Sequence, residues 1–133
     1  MSEPSDLLDL VRQWVEKAEH DLIYAEYMLT LGDGCPFDTV CFHAQQCVER
    51  HLKALLTLRR IPFPKAHDLA ELLALAPSDV CLDLPLDEVT DLTPYAVETR
   101  YPGLWEPLTV EEARGAVLAA RKFQAAVRQY LAV

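Results

Sequence analysis

The chain has 133 residues, 51% of them hydrophobic and 25% charged, which suits one soluble domain built on a single core. A net charge of −9 argues against a general binder of phosphate backbones, which needs clustered Lys and Arg. The four cysteines, Cys35, Cys41, Cys47 and Cys81, form no CxxC pair and read as reduced, small apolar residues. The opening MSEPSDLLDL has acids where a secretory leader needs bases, and no apolar run reaches the roughly 18 residues of a membrane span. A cytoplasmic location, no membrane association and no cofactor are the expectations.

Leu8, Val11, Val15, Ala18, Leu22, Ala25 and Leu29 recur at spacings of three and four. They predict a helix from about residue 5 to 31, capped by Ser5 or Asp6 and ended by Gly32, Gly34 and Pro36. Phe37, Cys41, Ala44, Val48, Leu52, Leu55 and Leu56 predict a second long helix from about 37 to 60, closed by Pro62 and Pro64. Residues 68 to 76 make a short third helix with Asp68 and Glu71 near its positive end. Between 78 and 99, Pro85 and Pro94 interrupt a helical pattern, so a short or broken helix is expected. Residues 109 to 131 form the last helix, opened by a T-x-x-E capping box of Thr109 and Glu112. No segment alternates with period two. The fold class is therefore all-α, an antiparallel up-and-down bundle of four to five helices in one domain spanning residues 1–133.

The second helix is the richest in polar side chains. Gln46, Glu49 and Lys53 lie beside its apolar stripe, with Glu49 four residues before Lys53 in the favourable order. They read either as a solvated flank or as a polar network shared with another helix or subunit. His43, Cys47 and His51 follow at i, i+4 and i+8; two of them could hold a metal ion, but no further ligand completes a set, and the reading is a packed helix face with no metal. Val40, Ala54 and Leu58 lie away from the main stripe, which suggests that a homodimer buries this helix.

No nucleophile elbow or phosphate loop is present. Basic groups gather at helix ends: Arg59 and Arg60, then Lys65 and His67, then Arg100. A guanidinium recognises phosphate bidentately, and a histidine moves protons, so Arg with His is a minimal kit for metal-independent RNA cleavage. Arg100 is also placed to bond the last carbonyls of a helix and fix the RYPG turn.

Four stretches occur in order: A-E-H-D-L at 18–22, C-F-H-A-Q-Q-C-V-E-R-H-L-K-A-L-L at 41–56, H-D-L at 67–69 and R-Y-P-G at 100–103. With the helix order, they make the chain resemble the HEPN domains (higher eukaryotes and prokaryotes nucleotide-binding), in their stand-alone prokaryotic branch. The resemblance implies a helical bundle, a homodimer, and a minimal nucleotidyltransferase as partner in a toxin–antitoxin pair. It also implies that competent members cut RNA with an arginine separated from a histidine by four to six intervening positions. Arg100 stands where this branch carries its arginine. Tyr101 follows it, and Trp105, Glu106 and Pro107 occupy the histidine positions, so the contiguous pair is incomplete. Arg60 and His67 match the spacing in a different loop. The favoured function is a homodimeric binding module for a nucleotide or the nucleotidyltransferase, using Gln46, Glu49, Lys53, Arg100 and Tyr101. The alternative is a ribonuclease acting on RNA through a noncontiguous catalytic pair, Arg100 and His67. A purely structural interaction protein is the third reading.

Overall fold

The computed structural model describes residues 4–96, 106–131 and 133. Five helices follow in order: α1 (Pro4–Leu29), α2 (Phe37–Leu58), α3 (Leu69–Ala74), α4 (Leu86–Thr90) and α5 (Val110–Val127). Single 3₁₀ turns lie at Gly32–Gly34, Thr93–Ala96 and Arg128–Tyr130. No strand occurs among the described residues, and the helices form the expected bundle.

Helix ends follow local chemistry. The turn after α1 places Gly32 at φ 65°, a conformation that costs a glycine little. α1 begins at Pro4, so Ser5 and Asp6 sit inside its first turn rather than capping it. Asp68 caps α3, its carboxylate accepting from the N–H groups of Ala70 and Glu71. Pro85 stands just before α4, which runs for only five residues. The Thr109–Glu112 capping box is fully formed, and α5 ends at Val127, short of the expected 131, by tightening into a 3₁₀ turn.

α2 is the axis of the molecule. α1, α5, α3 and the 93–96 turn all pack on it. From Val40 to Leu56 every residue except Phe42, His43 and Arg50 is buried. Ala18, Ala25, Ala44, Ala113 and Ala120 are fully buried and let the helices approach closely, while Leu52, Leu55, Leu56 and Phe123 fill the space between them. A helix apolar on several sides is a core helix. Val40 and Ala54, off the main stripe, are fully buried by the chain's own packing. The argument for a dimer from these residues therefore falls away: wrapping α2 from several directions within one chain meets the same hydrophobic demand.

Candidate functional site

The segment after α2 folds back over it. Arg60 adopts φ 57°. The Ile61 N–H donates to Leu56 O and the Arg60 N–H to Thr57 O, a Schellman closure with arginine at the position that favours glycine. Phe63 then packs edge-on against Trp14 of α1, ring centres 6.4 Å apart. The chain returns alongside α2 and delivers His67 to Glu49.

Glu49 is the hub of a polar network. Its Oε1 accepts from Gln45 Nε2 at 3.0 Å and lies 2.8 Å from His67 Nδ1. Its Oε2 accepts from Lys53 Nζ at 3.0 Å. Gln45 Nε2 also donates to the His67 carbonyl, and Gln46 Nε2 donates to Gln45 Oε1 at 2.7 Å. The Lys53 ammonium sits over the rings of Trp14 and Phe63, 5.7 and 5.9 Å from their centres. Burial alone would push the Glu49 carboxyl up. Hydrogen bonds from Gln45, His67 and Lys53, with the Lys53 charge, outweigh burial and hold it below its ordinary value. An ionised carboxylate only accepts, so His67 donates through Nδ1–H, which leaves Nε2 uncommitted to Glu49. Gln46, Glu49 and Lys53 are all buried, whereas the His67 side chain is 63% exposed. Of this network, His67 is the member that solvent reaches.

The structure thus brings four of the sequence-predicted residues, Gln46, Glu49, Lys53 and His67, into one network. It makes the first three a support for the fourth, not an open surface. The solvated-flank reading of Glu49 and Lys53 is corrected: the segment that carries Phe63 and His67 covers them. Arg100 and Tyr101 lie outside the described residues, so their roles stand as expectations. Arg60 makes no hydrogen bond or ion pair with His67, and Arg59 is instead clasped by both oxygens of Asp79, at 3.0 and 2.8 Å.

Sequence reasoning missed Gln45, Trp14 and Phe63 here. It also missed Asp21 on the opposite flank of α2. Asp21 is buried, with Oδ1 2.8 Å from His43 Nδ1 and Oδ2 accepting from Arg50 at 2.8 Å. The row His43, Cys47 and His51 is accordingly divided. His51 donates Nδ1–H to the Cys47 carbonyl at 2.8 Å, and burial lowers its pKa to about 4, so it is a neutral core side chain. Burial pushes the Cys47 thiol up, away from the reactive thiolate. No group of three metal-ligating side chains exists among the described residues. Among them, too, no helix is long and apolar enough to cross a membrane.

The comparisons with known proteins agree with this architecture. The family model for the HEPN domain matches residues 11–130. The crystal structure of TT1696 from Thermus thermophilus is similar at 38% identity and a TM-score of 0.73, covering 91% of this chain and 98% of that one. The crystal structure of ST0689, an archaeal HEPN homologue, is similar at 28% identity and a TM-score of 0.70, covering 91% of this chain and 97% of that one. Among curated proteins none matches. With the family model spanning most of its length and a relative this similar throughout, the chain belongs to the HEPN domain family.

Proposed function

We propose that the protein is a homodimeric binding module that engages a nucleotide, a minimal nucleotidyltransferase, or both, in a toxin–antitoxin-like pair in the cytoplasm. The observation that carries the reading is the buried Glu49 carboxylate holding an exposed His67 in one tautomer. Such an arrangement fixes the direction of an imidazole without exposing the acid that orients it. Gln46, Glu49 and Lys53 act through that fixation, and Arg100 and Tyr101 remain the further residues assigned to ligand or partner binding. Homodimerisation is supported by a different face: Ile23, Tyr27 and Leu31, exposed apolar residues at successive spacings of four along and just past α1.

The second reading, a metal-independent ribonuclease pairing His67 with Arg100, draws on the same carboxylate-held histidine. An imidazole held through Nδ1 by a carboxylate is ready to move a proton at Nε2. One experiment separates the two. RNA is incubated with the protein in EDTA, beside its His67→Ala and Arg100→Ala variants, while nucleotide binding and capture of a co-expressed nucleotidyltransferase are followed on the same samples. Binding or capture that weakens in the variants, without RNA cleavage, is the expected result. Cleavage lost in both variants overturns the binding reading in favour of the enzyme. Light scattering that shows only a 15.0 kDa species removes the homodimer.

A further inference from the structure

α1 ends where α2 and α5 begin, and a cavity of about 460 Å³ lies at that meeting point. Leu29, the last residue of α1, lines it with Gly32 and Asp33 of the following turn, Phe37 at the start of α2, and Val110 and Arg114 of α5. Each wall follows from local sequence. Val110 and Arg114 stand at i and i+4, so they share one face of α5. The left-handed backbone of Gly32 turns the chain from α1 toward α2, and a Cβ added there would meet no atom within 4 Å. The turn therefore leaves open space where most residues would put a side chain. The volume is within the range of small-molecule sites, roughly 300–1,000 Å³.

Two opposite charges share this space without meeting. Arg12, Arg50, Arg59 and Arg121 are each matched to an acid. The Arg114 guanidinium forms no hydrogen bond or ion pair among the described residues, and neither does the Asp33 carboxylate. They line one cavity and yet stay beyond ion-pair distance of each other. Arg114 is not explained as support for its helix either: Glu111 and Glu112 already supply the acids that the positive end of α5 favours, and a cation there gains nothing from the dipole. The remaining side chains of the wall, Leu29, Phe37 and Val110, are apolar and half-buried.

We infer that this cavity is a binding site for a free α-amino acid with a branched apolar or aromatic side chain. The ligand class follows from the groups that face the space. The guanidinium takes the α-carboxylate through two parallel N–H groups. The Asp33 carboxylate takes the α-ammonium, and Leu29, Phe37 and Val110 receive the side chain. A plain carboxylic acid leaves Asp33 without a partner, and an amine leaves Arg114 without one. A phosphate ester brings a second negative charge toward Asp33. The site is separate from the His67 network, because Phe37 lies about 18 Å along α2 from Glu49.

The test is to follow the methyl signals of Leu29 and Val110 by NMR while adding L-leucine, isocaproate, isoamylamine and glycine separately. Saturable shifts are expected with L-leucine. Isocaproate lacks the ammonium, isoamylamine the carboxylate and glycine the side chain, and each should bind at least about tenfold more weakly, the worth of one charge-assisted hydrogen bond or one buried side chain. Arg114→Gln and Asp33→Asn each remove one charge from an exposed position, so the fold should hold, and each should weaken L-leucine about tenfold. Asp33→Asn should also erase the preference for L-leucine over isocaproate. His67→Ala should leave the response unchanged. Absence of a saturable shift with L-leucine in the folded wild type overturns the proposal. So does equal binding of isocaproate by the wild type, unchanged affinity in either cavity variant, or a response abolished by His67→Ala.

Discussion

Two buried carboxylates flank α2, and each holds a histidine through Nδ1 at 2.8 Å and a cation beside it. Glu49 carries His67 and Lys53; Asp21 carries His43 and Arg50. They differ in where the cation goes. Lys53 is sealed against Trp14 and Phe63, so the Glu49 cluster is closed except at one imidazole. Arg50 and His43 both reach water, so the Asp21 cluster is open at two points. A carboxylate, an imidazole and a cation can thus build a structural brace with one projecting tip, or a bracket with two. The number of partners that remain hydrated decides which.

The largest effect should come from removing the charge at each hub. Glu49→Gln leaves the Lys53 ammonium buried without a counter-charge and should cost about 3–5 kcal/mol. Asp21→Asn leaves partners that water can serve and should cost about 1–2 kcal/mol. Urea unfolding midpoints at unchanged slope measure both, and equal losses would break the distinction.

Acid should separate the two hubs next, with the core residue His51 as the background to remove first. The unfolded histidine takes a proton near its ordinary pKa of 6.5, the folded one only near about 4. Between those values the unfolded state binds more protons, so stability falls as pH drops through that window, by about 3 kcal/mol in all. Above pH 6.5 and below about 4 this group adds no slope. His51→Gln should flatten the window. Glu49 acts further down. Its folded value is lowered, so its contribution is present above its ordinary 4.5 and disappears as pH falls through the folded value. In the His51→Gln background, stability should hold to about 4.5 and then decline, and Glu49→Gln should remove that part of the decline. A decline that persists unchanged in the double variant would sink this assignment.

The smallest effect tests the segment that delivers His67. Arg60 holds a left-handed backbone that disfavours residues with a Cβ by roughly 1–2 kcal/mol, partly offset by the greater unfolded freedom of glycine. Arg60→Gly should therefore raise stability by up to about 1 kcal/mol, read as a higher melting temperature, with His67 still on Glu49. A lower melting temperature would mean that the Arg60 side chain has a role of its own.

The long helices were legible because α1, α2 and α5 each carry an apolar stripe of period 3.6, and because Thr109–Glu112 and Pro85 mark boundaries by purely local chemistry. The burial of α2's polar row was not. Gln46, Glu49 and Lys53 look like a wet flank until the segment after α2 folds over them, and that return depends on Phe63 meeting Trp14 on a helix far back in the chain. A sign of it was present: α2 has polar residues on two sides and so no single face to give to water. Asp21 escaped for a similar reason. It sits beside Leu22 at the margin of the α1 stripe, and only the pairing of α1 with α2 brings His43 and Arg50 to it.

One phenol fastens the least regular part of the molecule. The Tyr130 hydroxyl donates to the Cys81 carbonyl and accepts from the Cys81 N–H, both at 3.0 Å. It occupies both hydrogen-bonding groups of one residue, as a neighbouring strand would, in a stretch between α3 and α4 that has few backbone bonds of its own. The exchange rate of the Cys81 amide is consequently a clock for the undocking of the turn after α5. It reports the fraying of that end of the bundle from a site 49 positions away in sequence.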